Sequence, residues 1–115
     1  MDILASPVNS IAHGMLDALS AQQKLLAKNI ANANVDGYRP SYMNFDQVLS
    51  ELKAKQDLGV NGNLIMGAYV DSKSGNVQLD MELLQMQETV LQYKTLLDAL
   101  SRKGALMKTV MGGGR

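Results

Sequence analysis

The sequence predicts an all-α fold: two long terminal helices packed as an antiparallel, coiled-coil-like hairpin, with a short helix and an irregular or short β-hairpin segment between them. Three observations predict it. Large apolar residues recur at alternating spacings of four and three near both ends of the chain. The two periodic stretches have similar lengths. The middle is punctuated by Gly and Asn instead.

The C-terminal stretch is the stronger. Its series is Leu79, Leu83, Met86, Val90, Tyr93, Leu97, Leu100, Gly104, Met107 and Met111. That heptad seam stays on one side of a helix and buries along a partner helix. A second line, Leu84, Leu91 and Leu96, widens the apolar face and predicts more than one neighbour. A helix over 79–111 spans roughly 45 Å, too long for its seam to be hidden in a small core. Its partner comes from the same chain, from other copies, or from both. Asp80 reads as its N-cap with Glu82 in the first turn, and Arg102, Lys103 and Lys108 lie toward the other end, an order that complements the helix dipole.

Near the N-terminus, Ser6-Pro7 reads as a cap followed by a first helical residue. The seam that follows is Val8, Ala12 or Ile11, Met15, Leu19, Gln22, Leu26, Asn29 or Ile30, and Ala33, predicting a helix over 7–33. Gln22 and Asn29 are polar at seam positions. Either they fix register and partner number or they face solvent on a partly buried helix. His13 has no second His and no Cys to form a metal site with, and reads as structural.

The middle region, 34–78, begins with a turn. Asp36-Gly37 is a strong turn signal, and Pro40 biases Arg39 to extended backbone. Phe45, Val48, Leu49 and Leu52 sit at helical spacing, so a short amphipathic helix is expected from about Asn44 to Lys55, folding back on the long helices through Phe45. From 56 to 78, Gly59, Asn61-Gly62, Gly67 and Gly75-Asn76 break up two short apolar pieces, which predicts a short hairpin or an irregular loop.

Composition narrows the function. The 115 residues make one modest domain, 1–115, and 11 Lys+Arg balance 11 Asp+Glu. Nothing basic marks a nucleic-acid or anionic-membrane partner, and aromatic content of 4% without Trp gives little to stack on bases. Zero Cys excludes disulfides and thiolate metal sites. No run approaches the roughly 20 apolar residues of a membrane span. The start, Met1-Asp2-Ile3-Leu4, carries an acid where a cleavable signal has a basic region. No Ser has a base beside it and no carboxylates have metal-ligand spacing, so neither an enzyme nor a cofactor is expected. Eight Met and many Leu give flexible apolar surface for helix–helix contacts. These features suit a structural assembly protein. They also suit a small helical adaptor or chaperone that binds one partner helix, which would leave the Asn-rich turn unexplained.

The stretch Leu26-Ala27-Lys28-Asn29-Ile30-Ala31-Asn32-Ala33-Asn34-Val35-Asp36-Gly37-Tyr38 resembles the signature of bacterial flagellar axial proteins, the rod, hook and junction subunits. That signature reads roughly L-A-N-N-I-A-N-A-N-T-P-G-Y. Lys28 replaces its first Asn, and Val35-Asp36 replaces Thr-Pro, leaving the turn chemistry intact. Met43 to Leu49 resembles the short aromatic segment that follows in the proximal rod subunit. Asn76-Val77-Gln78-Leu79-Asp80-Met81-Glu82-Leu83 resembles the rod proteins' opening of the C-terminal helix, and Leu91-Gln92-Tyr93 with Leu97 to Lys103 resembles the proximal rod type more than other rod subunits. The resemblance covers about residues 15–50 and 76–111. It implies a subunit that polymerises head to tail in the periplasmic space and is exported through the flagellar type III apparatus without a cleaved signal. Implied neighbours are its own copies, other rod subunits, the adaptor at the rod base, the membrane ring and the export gate. The residues expected at the assembly interface are Leu19, Leu26, Asn29, Ile30, Asn32, Asn34, Gly37, Tyr38, Phe45, Leu83, Met86, Val90, Tyr93, Leu97, Leu100, Gly104 and Met107.

Overall fold

A computed structural model describes residues 7–60 and 63–111. Among the described residues three α-helices carry the chain: α1 (Pro7–Ala31), α2 (Phe45–Asp57) and α3 (Leu79–Met111). Two three-residue strands, β1 (Ser41–Met43) and β2 (Val70–Ser72), pair antiparallel, and a 3₁₀ turn at Met66–Tyr69 leads into β2. The fold is mostly α with a small sheet, elongated at 61 × 31 × 15 Å. The Ser6 cap and the Gly112–Arg115 tail lie outside the described residues.

α1 is the central element. Its largest contact is with α3, and it also touches α2, β1 and the 3₁₀ turn. On one stripe, Ala18 is fully buried in a cluster with Met43 and Val48. Met15, Ala21, Leu25, Phe45, Leu52, Leu64, Met66, Tyr69 and Val70 pack around them. Leu16, Leu19 and Leu26 are buried on the adjoining stripe, outside this cluster. Truncating a site like Leu26 typically costs 2–5 kcal/mol in a tight core. Gly14 sets how closely α2 approaches: a Cβ there would sit 2.5 Å and 2.7 Å from the two Leu52 methyl carbons. This contact is not visible in the spacing of α1, which treats Gly14 as one more helical residue.

α1 ends at Ala31, two residues before the expected Ala33, and successive turns follow. The Asn32 side chain donates to the Lys28 carbonyl at 2.8 Å, and the Tyr38 N–H reaches the Val35 carbonyl at 3.2 Å. Gly37 occupies the third position of that second turn with φ 77°, the left-handed backbone that only Gly takes freely. α2 is bounded by two recognisable caps. Asn44 accepts from the Gln47 N–H at 3.1 Å. At the far end Gly59 (φ 67°) donates to the Gln56 carbonyl and Val60 to the Lys55 carbonyl, the Schellman pair.

Three expectations are corrected. Among the described residues of 56–78 the hairpin, one of the two forms expected there, is not made, because β2 pairs with β1, 29 residues earlier, in register Ser41↔Ser72, Tyr42↔Asp71 and Met43↔Val70. Asp80 does not cap α3 but lies inside its first turn, which starts at Leu79. The line of α3 buried within the chain is also rotated from the expected seam. It runs Glu82, Met86, Thr89 with Val90, Tyr93, Leu96 and Leu100, while Leu83 (46% exposed) and Leu97 (44% exposed) turn to solvent beside it. Both lines share Met86, Val90, Tyr93 and Leu100. Polar Glu82 and Thr89 displace the apolar choices because they have internal partners, described below for Glu82; Thr89 donates to the Gln85 carbonyl at 2.7 Å. Gly104 meets nothing within 4 Å at its Cβ position, so no backbone of the same chain crowds it.

The Gly14 contact is directly testable. Gly14→Ala should shift the urea midpoint by less than the equivalent of about 1 kcal/mol, because only the flexible end of the half-buried Leu52 has to turn aside and Ala is the better helix former.

Candidate assembly interface

The interface candidates fall into two groups, an internal polar junction and an exposed apolar surface. The junction begins with β1. Its alternate groups bond to β2 on one side: the Lys73 N–H donates to the Pro40 carbonyl and the Asn44 N–H to the Tyr69 carbonyl, each at 2.8 Å. The intervening groups point the other way, where a third strand would lie. α1 supplies amide side chains there instead. Asn29 accepts from the Ser41 N–H at 3.1 Å and donates to the Ser41 carbonyl at 3.0 Å. Two helical turns earlier, Gln22 accepts from the Met43 N–H at 2.8 Å. A free strand edge inside a protein costs several unpaired backbone groups, and two amides remove that cost.

Asn29 has no exposed surface and uses its remaining capacity on two further elements. Its carbonyl oxygen accepts from the Tyr38 hydroxyl at 2.8 Å, fixing the end of the Asn-rich turn. Its amide also donates to Glu82 of α3 at 3.3 Å. Glu82, 3% exposed, accepts a short hydrogen bond from the Tyr42 hydroxyl with its other oxygen. One asparagine therefore joins the first helix, the turn, the sheet and the last helix. Among the described residues no buried side-chain nitrogen or oxygen is left without a partner.

The junction changes tyrosine chemistry. Burial, then the hydrogen bond to Glu82 and its charge, and then Tyr38, push the Tyr42 hydroxyl far above its ordinary value of 10.0. Tyr38 is raised as well, by burial first and the Glu82 charge second. A tyrosinate would face a carboxylate in a site with little water, so both hydroxyls stay protonated and donate.

The predicted residues divide as follows. Leu19, Leu26 and Asn29 are buried within the chain, and Ile30, Asn32, Tyr38, Phe45, Met86, Val90, Tyr93, Leu100 and Gly104 are partly so. Asn34, Gly37, Leu83 and Leu97 are exposed, and the side chain of Met107 lies outside the described residues. The structure brings Asn29 and Tyr38 together and adds Gln22, Ser41, Tyr42 and Glu82. Glu82 was missed because an acid in a first helical turn already has a sufficient explanation in the helix dipole. Asn29 at a seam position was the available signal, since a buried amide demands partners.

The second group is apolar surface. Leu79, Met81, Leu83, Leu84, Leu91, Leu97, Leu106 and Val110 of α3 are exposed, as are Leu58, Val60 and Ile65 (80% exposed) in the loop after α2. Leu84 and Leu91, a heptad apart, lie on the side of α3 opposite the buried line. Among the described residues no His, Cys, Asp and Glu group is arranged to hold a metal, and no helix is long and apolar enough to cross a membrane.

Residues 11–39, which include the helix end, Asn29 and the Asn-rich turn, match the family described as flagella basal body rod protein. Over that stretch the chain resembles the flagellar basal-body rod family. It is also similar to the flagellar basal body rod protein FlgB of Bacillus subtilis (strain 168), 25% identical over 130 aligned residues that cover 100% of both chains. The matched stretch thus contains Asn29 and Tyr38, which close the polar junction.

Two outcomes test the junction. Asn29→Leu strands the Ser41 and Tyr38 donors and should cost at least about 1–3 kcal/mol in urea unfolding, the penalty of an unsatisfied buried group. For pH, the hydroxyls of Tyr38 and Tyr42 have folded values above the unfolded 10.0. Their contribution is complete below pH 10 and is lost as pH rises through their raised folded values. Tyrosinate absorbance should show a late-titrating component that unfolding shifts down and that Tyr42→Phe removes.

Proposed function

We propose that this chain is a structural subunit of the flagellar proximal rod, polymerising through its terminal helices into the shaft that spans the periplasm and surrounds the export path. The full-length likeness to a FlgB protein carries this reading, and the apolar residues that α3 leaves exposed support it. Within one subunit, 1–115 acts as a single domain whose terminal helices pair as an antiparallel hairpin. The Asn29–Glu82 bond, between the end of one helix and the start of the other, supports that arrangement. Between subunits, Leu83, Leu84, Leu91 and Leu97 offer a second face beside the one that α1 covers. Contacts of this kind, between different patches on successive subunits, do not close and so build a filament.

The remaining roles are part of the same proposal and are supported by that likeness. Neighbours are other copies, other rod subunits, the adaptor at the rod base, the membrane ring and the export gate. The chain reaches the periplasm through the flagellar type III apparatus and carries out no catalysis. Among the described residues few side chains are fully buried and a dozen large apolar ones are exposed. A free helix is marginal until its face is covered, so the terminal helices gain most of their stability on assembly. Such a chain threads an export channel readily and does not complete its interfaces too early.

Deleting the gene and imaging basal bodies by electron cryotomography tests the assignment. The expected result is a membrane ring from which no rod grows; complete rods and filaments would sink it. The free subunit should melt broadly, with a midpoint below the ~45–65 °C usual for small domains. A sharp cooperative transition above that range would contradict ordering on assembly.

A further inference from the structure

A cavity of about 460 Å³ opens beside the polar junction, with Tyr42, Phe45, Lys73, Met81, Glu82 and Gln85 on its wall. Glu82 is the buried charge of that wall, and both of its donors, Asn29 and Tyr42, are neutral. Among the described residues no ammonium or guanidinium is paired with it. Lys73, on the same wall, stands 5.4 Å over the Tyr42 ring and is exposed. The start of α3 compensates part of the Glu82 charge through its dipole. A carboxylate in a site with little water still gains from a cation.

The bases of α3 lie at its other end. Arg102 is taken by Asp98 at 3.0 Å. Lys103 is partly buried, whereas Lys108, in the last turn, is exposed. Lys108 lies 26 residues beyond Glu82, about 39 Å along the helix. The two cannot meet within one chain, but they can meet between chains stacked end to end.

We propose that this cavity receives the Lys108 ammonium of a second copy, as the polar contact that sets the axial step between successive subunits. The proposal rests on the rod reading and names one contact within it. It matches the acidic start of one α3 to the basic end of the next, on a chain whose total charge is zero. The contact is heterologous, so it repeats without closing. It also gives the exposed apolar residues of α3 a defined offset at which to pack.

The chain has no Cys, so each single-cysteine variant carries one thiol. Met81→Cys, at an exposed position (55%) on the cavity wall, is co-produced with Lys108→Cys, and purified basal bodies are mildly oxidised. The expected product is an intermolecular disulfide between the two variants, in clear excess over that from Met81→Cys with Asp98→Cys. Equal yields, or no disulfide in basal bodies that contain both variants, overturn the contact and leave rod membership standing. Absence of the unaltered chain from basal bodies overturns the rod reading and the contact with it. As a second readout, Lys108→Arg should enter basal bodies normally and Lys108→Glu should enter several-fold less; equal incorporation of the two also overturns the proposal.

Discussion

The outer edge of β1 is the constraint on which the rest of the structure depends. A three-residue strand with one neighbour leaves its other row of backbone groups unpaired, and here that row faces the interior. Gln22 and Asn29 are spaced two helical turns apart on α1 and meet Met43 and Ser41, two residues apart on the strand. A helix thereby serves as the missing strand. Only amides do this well, because Asn29 must accept from the Ser41 N–H and donate to its carbonyl at once. Once α1 and β1 are joined in this way, the position of the Asn-rich turn between them is settled, and Tyr38 and Tyr42 are brought onto Asn29 and Glu82.

This explains why so small a chain accepts polar residues in the middle of its apolar stripes. Fully buried apolar side chains are few and small, with Leu26 and Val48 the largest. Burial alone would let the long helices slide, since one Leu or Met seam position looks much like the next. A carboxylate that must meet one tyrosine and one asparagine has a single register. The cost is a buried charge, which replacement by apolar residues often removes without loss of stability. What the charge contributes is the position of α3 relative to α1.

The helices, their lengths and their order were legible in the sequence because they rest on local periodicity and local caps. α2 was legible through Phe45, Val48 and Leu52, and the turn through Asp36-Gly37. The strand pairing was not: Tyr42 and Asp71 are 29 residues apart, and three-residue strands carry no period of their own. The rotation of α3 was hidden for a related reason. Leu83 and Leu97 fit a heptad as well as Glu82 and Leu96 do, and only the partners of Glu82 decide between them. Half of the candidate site was visible in the Asn-rich motif, and the half on α3 and β1 needed three dimensions. The close approach at Gly14 was invisible because a sequence does not show which glycine has a methyl group of Leu52 against it.

The rotation also bears on assembly. If α3 had buried its leucine-rich seam internally, Leu84 and Leu91 would still lie outside, but the apolar face left for the proposed assembly would be narrower. By using Glu82 and Thr89 on the inside, the chain leaves Leu79, Leu83, Leu84, Leu91 and Leu97 outside. Apolar area removed from water is worth roughly 25 cal/mol per Å² and has no direction. Such a surface drives association but does not choose an offset, whereas charged and hydrogen-bonded groups do. The same division holds inside the subunit, where apolar stripes hold the helices together and the Asn29–Glu82–Tyr42 junction places them. A polymer built from this chain needs both kinds of contact again at each joint, and the apolar face of α3 supplies only the first.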